Sequence, residues 1–294
     1  MTDQTKGLLL TFLGVMCIVP EALFVRVIDA PMLTLAFWKV TLVGLAIGAG
    51  LLLAQGTAPF RALRRAGWAS AIYIGGVACA GVGFVLAVRL TSVANVVFIL
   101  ASLPVFAAIY SRVFLAEPIS RRMFFTIGAV LAGLAVIAFG SGETENASRA
   151  GDLLALSISA IFAGALTAAR HARAVSMVPA VALAYLLAGA VLLPIAQPLQ
   201  MPSDELPQLL LYAVFMAASA GLIALGPRYI SSAEVGLLVL LESVLAPLLV
   251  WAVLGEDPGL YALIGGGIVV SALFLSNLIA LSRRRRVVPP LPQH

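Results

Sequence analysis

The sequence predicts an all-α membrane protein of ten transmembrane helices, arranged as two inverted five-helix repeats. Three observations predict it: a composition too apolar for water, ten apolar stretches of spanning length, and a repeat that halves the chain. Of 294 residues, 62% are hydrophobic and only 11% charged, and mean hydropathy is +1.09. A soluble domain carries about 25% charged residues. So few charges cannot cover the apolar surface of a chain this long, and lipid is the solvent that removes the problem.

A hydrocarbon core of about 30 Å takes about 20 helical residues. The stretches are 7–27, 31–54, 66–88, 92–115, 120–140, 151–169, 178–197, 207–227, 233–254 and 259–281. The first lacks a small-x-small cleavage site and carries Glu21, so it reads as an uncleaved helix and not a signal peptide. Pro31, Pro118, Pro179 and Pro258 stand where the second, fifth, seventh and tenth helices begin, since proline suits the first helical turn. The loops leave no room for a soluble domain. Cys17 and Cys79 lie inside apolar runs, with neither metal nor disulfide spacing.

Orientation follows from the basic residues. With the N-terminus inside, 14 Lys and Arg fall on the inner side, among them Lys6, Arg61, Arg64, Arg65 and Arg283 to Arg286. Only Arg26, Arg89 and Arg149 fall outside, where Asp29, Glu143, Glu145, Asp204, Glu205, Glu256 and Asp257 collect. This predicts a bacterial inner-membrane protein with both termini cytoplasmic. The net charge of +5 is explained by these loops, and no nucleic-acid partner is expected.

The repeat is legible without gaps from Arg89–Gly133 onto Arg228–Ala272. Leu115-Ala-Glu-Pro118 falls on Leu254-Gly-Glu-Asp257, and Gly128 falls on Gly267. Further upstream, Pro31-x-x-x-Leu-Ala-Phe37 matches Pro179-x-x-x-Leu-Ala-Tyr185. A unit of five spans enters the membrane from opposite sides in its two copies, a plan that lets the halves of a transporter exchange roles. The predicted organisation is a first repeat at 1–141, an outer linker at 142–150, a second repeat at 151–282 and a basic cytoplasmic tail at 283–294.

Thr91-Ser-x-Ala94, Leu103-Pro-Val105, Glu117, Gly128 and Gly133 recur in order as Ser232-Ala233, Leu241-Glu-Ser-Val244, Ala246-Pro247, Gly255-Glu256 and Gly265-Gly-Gly267. This doubled pattern resembles the drug/metabolite transporter superfamily, and more narrowly its ten-helix EamA-type permeases. The resemblance covers nearly the whole chain. It implies two inverted repeats around a central cavity and, from the bacterial members, export of amino acids, aromatic ones among them, and other metabolites. Helix two, Leu35-Ala-Phe-Trp-Lys39, matches the family's position for a basic residue, where arginine is commoner. Two departures stand out: Ser243 where many members carry proline, and Leu103 where a paired carboxylate would stand.

An ionisable residue at membrane depth costs several kcal/mol and is a site candidate by default. Three qualify: Glu21, Lys39 and Glu242. At 1.5 Å per residue, Glu21 lies about 9 Å and Lys39 about 12 Å from the outer ends of consecutive helices. Two readings stay open. The pair lines a cavity, Lys39 meeting a carboxylate and Glu21 an ammonium, or the two neutralise each other structurally. Neither has a charged counterpart in the other repeat, where Ala165 and Leu187 align. Glu242 faces Leu103 by repeat and reads as a cavity residue or a proton site. Asn95, Ile99 and Ser102 share one helical face. Phe37, Trp38, Tyr73, Phe98, Phe162 and Tyr185 are aromatic wall candidates, with packing and interfacial anchoring as the alternatives. Pro20, Pro104, Pro194 and Pro247 lie within predicted spans, where a missing donor favours a kink or hinge.

No phosphate-binding Gly-rich loop, zinc-binding His-Glu-x-x-His or Gly-x-Ser-x-Gly nucleophile motif occurs, and the only histidines are His171 and His294. The expectation is therefore no enzyme, no cofactor and no metal. The expected partners are a small-molecule substrate, membrane lipid and, through Gly-lined faces such as Gly44-x-x-x-Gly48, a second copy. Amino acid export by alternating access leads. Export of drug-like cations, purines or other metabolites stands behind it, then a channel or membrane-embedded enzyme.

Overall fold

A computed structural model describes residues 3–116, 119, 121–140, 147–172, 174–225, 229 and 232–287. Glu117, Pro118, Glu143, Glu145, Arg173, Arg228 and His294 lie outside the described residues. The described elements are helical throughout: α1 (Asp3–Ile18), α2 (Glu21–Val27), α3 (Met32–Gln55), α4 (Ala58–Ala62), α5 (Trp68–Leu90), α6 (Val93–Leu100), α7 (Leu103–Phe114), α8 (Arg121–Gly140), α9 (Arg149–His171), α10 (Val178–Leu192), α11 (Leu206–Leu225), α12 (Ser232–Leu254) and α13 (Leu260–Val287). Three short 3₁₀ turns accompany them.

Among the described residues, eight helical segments are long and apolar enough to cross a bilayer. Two of these are broken, α1 with α2 and α6 with α7. Two shorter apolar helices, Val178–Leu192 and Leu238–Leu254, stand at the remaining predicted positions. The outer surface carries many large apolar side chains: Phe124, Phe125 and Phe139 are each about 70% exposed. Soluble monomers rarely expose apolar patches of this extent.

The breaks have a backbone cause. Pro20 has no N–H to give the carbonyl four residues earlier, so α1 stops and α2 restarts with Phe24 N bonding to Pro20 O. At the second break, Ser102 N bonds Ile99 O and Val105 N bonds Ser102 O, a tightening around the donor that Pro104 lacks. The two other predicted hinge prolines behave differently. Pro247 sits buried within a continuous α12. Pro194 lies beyond the end of α10, which stops at Leu192 and not at the predicted 197. Ile195 and Ala196 both turn back to the Leu192 carbonyl, and Gln197 (φ 46°) reverses the chain. Pro194 therefore ends a helix; it does not bend one.

Helix directions can be read from contact order. On α3 and α10, Thr41 meets Gly189, Gly44 meets Leu186 and Gly48 meets Ala182, so the two run antiparallel. On α8 and α13, Gly133 meets Gly265 and Gly140 meets Tyr261, also antiparallel. The α6–α7 segment runs parallel to α9, with Asn95 on Asp152, Ser102 on Ser159 and Tyr110 on Gly164. The packing is also symmetric. Exchanging the first five spans for the last five maps the α5–α9 contact onto α11–α1, and α5–α10 onto α11–α3. Lipid supplies no hydrophobic drive between helices, so small residues that let backbones approach must hold them. A Cβ at Gly133 would stand 2.7 Å from the Gly265 carbonyl oxygen, and one at Gly265 only 2.5 Å from the Gly133 oxygen.

Candidate functional site

Glu21 and Lys39 meet inside the bundle. Lys39 Nζ donates to Glu21 Oε1 at 2.6 Å and to the Gly81 carbonyl at 3.2 Å. Both residues are buried, Glu21 at 8% and Lys39 at 3% exposure. The Pro20 break places Glu21 in the first turn of α2, where free backbone N–H groups favour a negative charge. Tyr212 on α11 donates its hydroxyl to the same Glu21 oxygen at 3.3 Å. The ammonium also faces the rings of Phe84, at 5.1 Å, and Tyr212, at 5.9 Å. Ring faces attract a desolvated cation, so the aromatic surround replaces part of the water Lys39 has lost. Phe24 stacks on Tyr212 at 5.3 Å and meets Phe215 edge-on.

Four further predicted residues belong to this region. The Tyr185 ring from α10 lies against Gly81, where an added Cβ would come within 2.6 Å of it. Tyr185 and Glu242 both feel the charge of Glu21. Glu242 has no hydrogen-bond partner among the described residues. Phe37 is buried in the main core and meets Trp38 edge-on. Trp38 donates its indole N–H to the Pro198 carbonyl at 3.0 Å, which fixes its ring to the loop after α10.

The other predicted residues have other partners. Tyr73 and Phe162 pack in a second cluster with Val77, Ala165 and Ala184, which Tyr185 joins to the main core. Phe98 covers Gly266 of α13. Asn95 turns its amide to Asp152, with Nδ2 at 3.0 and 3.1 Å from the two carboxylate oxygens. Ser102 meets Ser159 at 3.2 Å and donates to Ile99 O. The polar face of α6 therefore reads as interhelical bonding to α9, the commoner use of such residues.

A second polar cluster ties the helix ends that sequence counting assigns to the outer side. Arg26 Nη2 donates to the Thr91 carbonyl at 2.8 Å and to Glu256 Oε1 at 3.1 Å. Arg26 Nε approaches Glu256 Oε2 at 2.9 Å but is not aligned to donate, so that contact is purely ionic. The Val93 N–H donates to Glu256 Oε1 at 2.9 Å. Thr91 in turn donates to Asp152 at 2.7 Å and accepts from Ser148 N. At this level α6 is enclosed, with Val93 to Ile99 all buried, whereas α7 buries only Val105 and Ser111.

Sequence reasoning missed Tyr212, Phe84, Phe24 and Gly81 at the ion pair, and Asp152 beside Asn95. Only Asp152 had a signal: Asp152 and Ser159 repeat the seven-residue spacing of Asn95 and Ser102. No group of His, Cys, Asp and Glu able to hold a metal occurs among the described residues.

Comparison with known proteins agrees with this architecture. A solved crystal structure, described only as that of a protein, superposes with a TM-score of 0.63 over 96% of this chain and 99% of its own. At 19% identity, it supports the fold alone. No curated protein matches the sequence. Residues 5–139 and 149–278 each match the EamA-like transporter family. The chain therefore belongs to the EamA-like transporter family, within the drug/metabolite transporter superfamily, as a multi-pass membrane protein built from two copies of the family's domain.

Proposed function

We propose that this transporter exports a small metabolite, an amino acid in the first place, by alternating access across a bacterial inner membrane. The reading includes ten spans, with α10 and α12 completing the eight longer ones, and cytoplasmic termini. It divides the chain into repeats at 1–141 and 151–282, joined by a linker at 142–150 and followed by a basic tail at 283–294. The opposed directions of α3 and α10, and of α8 and α13, support an inverted relation between the repeats. No enzymatic step is proposed.

The observation that carries the substrate class is the Glu21–Lys39 pair under aromatic rings. A buried pair cannot lose one partner cheaply, since the other charge would be left uncompensated. A zwitterion can replace both partners at once, its carboxylate on Lys39 and its ammonium on Glu21. Phe84, Tyr212, Phe24 and Tyr185 then offer faces to an apolar or aromatic side chain. Glu242 favours a second reading: a further acidic side chain within the field of Glu21 would suit an organic cation. No nucleic-acid partner enters either reading. A homodimer is compatible with both.

The test is reconstitution into liposomes. Labelled aromatic amino acid is supplied with and without unlabelled counter-substrate. The reading expects saturable, counterflow-stimulated uptake that falls in Lys39→Ala. Uptake of organic cations but no amino acid would move the substrate to the second reading. Flux that neither saturates nor shows counterflow would replace the carrier with a channel.

A further inference from the structure

The short α4 helix and the 3₁₀ turn Leu63–Ala66 carry three arginines that the fold does not use. Arg61, Arg64 and Arg65 are all exposed. The ion pairs among the described residues are Arg26–Glu256 and Lys39–Glu21, so no carboxylate neutralises the three. Trp68 follows directly and is 59% exposed. Exposed tryptophan at the end of an apolar span sits at the headgroup level of a bilayer. The three charges therefore stand at the membrane–water boundary.

An apolar hollow of about 340 Å³ opens beside them between α3 and α10. Leu45, Ala49, Leu52, Leu183 and Leu186 line it, together with Phe60 of α4. Small residues at Gly48 and Ala49 leave the space: even a Cβ added at Gly48 would meet only the Ala182 Cβ, at 3.7 Å. From Leu45 to Leu52 the hollow follows α3 for about 10 Å. Phe60 sits in the hollow, Arg61 follows it, and Arg64 lies one helical turn on.

We infer that this groove is a binding site for one anionic phospholipid, its acyl chain between α3 and α10 and its phosphate on Arg61, Arg64 and Arg65. An acyl chain needs a carbon-lined slot parallel to the helices, and a phosphate needs guanidinium donors at the mouth of that slot. Each basic residue near a membrane surface strengthens the hold on an anionic headgroup by about fivefold. The inference does not depend on the transported substrate.

The experiment uses the full chain purified in detergent. Native mass spectrometry follows binding of phosphatidylglycerol and of phosphatidylcholine with the same acyl chains. The site predicts a preference for phosphatidylglycerol of about fivefold or more. Arg61→Ala/Arg64→Ala/Arg65→Ala should erase the preference, lowering phosphatidylglycerol binding more than phosphatidylcholine binding, because only the first lipid carries a net negative charge for the three exposed arginines to hold. Ala49→Trp should reduce binding of both lipids, whereas Leu275→Trp, on an exposed stretch of α13, should not. A phosphatidylglycerol carrying a photoreactive acyl chain should label the α3–α4 and α10 peptides. Equal binding of the two lipids by the native chain overturns the inference. So does a preference that survives the triple substitution, or labelling confined to other helices.

Discussion

Lys39 and Glu21 share a 2.6 Å contact inside the bundle, yet the second repeat places Leu187 and Ala165 at the corresponding positions. A scaffold element serving both halves would recur, and this pair does not. Its energetics are those of a buried ion pair. Lys39→Met leaves the Glu21 carboxylate with only the Tyr212 hydroxyl and should destabilise the protein by about 3–5 kcal/mol. Glu21→Gln/Lys39→Met removes both charges and should recover most of that loss. Unfolding of the purified variants in mixed micelles measures both. A double variant no more stable than Lys39→Met would mean the two charges do not compensate each other.

Glu242 shares the field of Glu21 without a hydrogen-bond partner of its own among the described residues. If protons drive transport, one of these carboxylates carries them. Neutralising the carrier should then abolish uptake driven by a pH gradient but leave substrate exchange intact, because exchange needs no net proton movement. Glu21→Gln and Glu242→Gln in proteoliposomes decide the matter. Full pH dependence in both variants would remove proton coupling through this pair.

Glycines at the α8–α13 crossing separate packing from backbone freedom. Gly133→Ala and Gly265→Ala each place a methyl group against the opposite backbone carbonyl, which cannot move aside as a side chain can. Each should cost about 1–3 kcal/mol. Gly128 and Gly267 belong to the same repeated motif, but an added Cβ meets nothing within 4 Å at either. Their alanine variants should be neutral, or gain about 0.5–1 kcal/mol from reduced freedom of the unfolded chain. Thermal unfolding of the four single variants tests the contrast. Equal losses at all four positions would show that the glycines matter through the backbone and not through the crossing.

The fold was more legible than the site, and particular residues show why. Spans are written in local composition, so the apolar helices and their order could be read directly. The end of α10 could not. A window average carries on through Pro194, while the helix stops where Ile195 and Ala196 turn to Leu192. The ion pair was legible because charge at membrane depth is rare. Its surround was not, because Tyr212 and Phe84 look like any other aromatic in an apolar helix until α11 and α5 are brought against α2 and α3. Asn95 stayed open for a related reason. Its amide could face a cavity or a neighbouring helix, and only the parallel course of α9 brings Asp152 to it.

Arg26 and Glu256 were both assigned to outer loops by charge counting, and they form the other ion pair of the described residues. This pair is directional in a way that charge alone is not. Arg26 also donates to the Thr91 carbonyl, and Glu256 also accepts from the Val93 N–H. Glu256→Ala strands that N–H and part of the guanidinium, and should cost about 1–3 kcal/mol. Exchanging the charges, Arg26→Glu/Glu256→Arg, restores opposite signs but sets a carboxylate against the Thr91 carbonyl and a guanidinium against the Val93 N–H. The swapped variant should therefore be no more stable than Glu256→Ala, whereas Glu256→Gln, which keeps an acceptor for Val93, should lose less. Unfolding midpoints of the three variants in micelles rank them. Full rescue by the swap would reduce the contact to simple charge attraction and remove the backbone of the α5–α6 junction from its account.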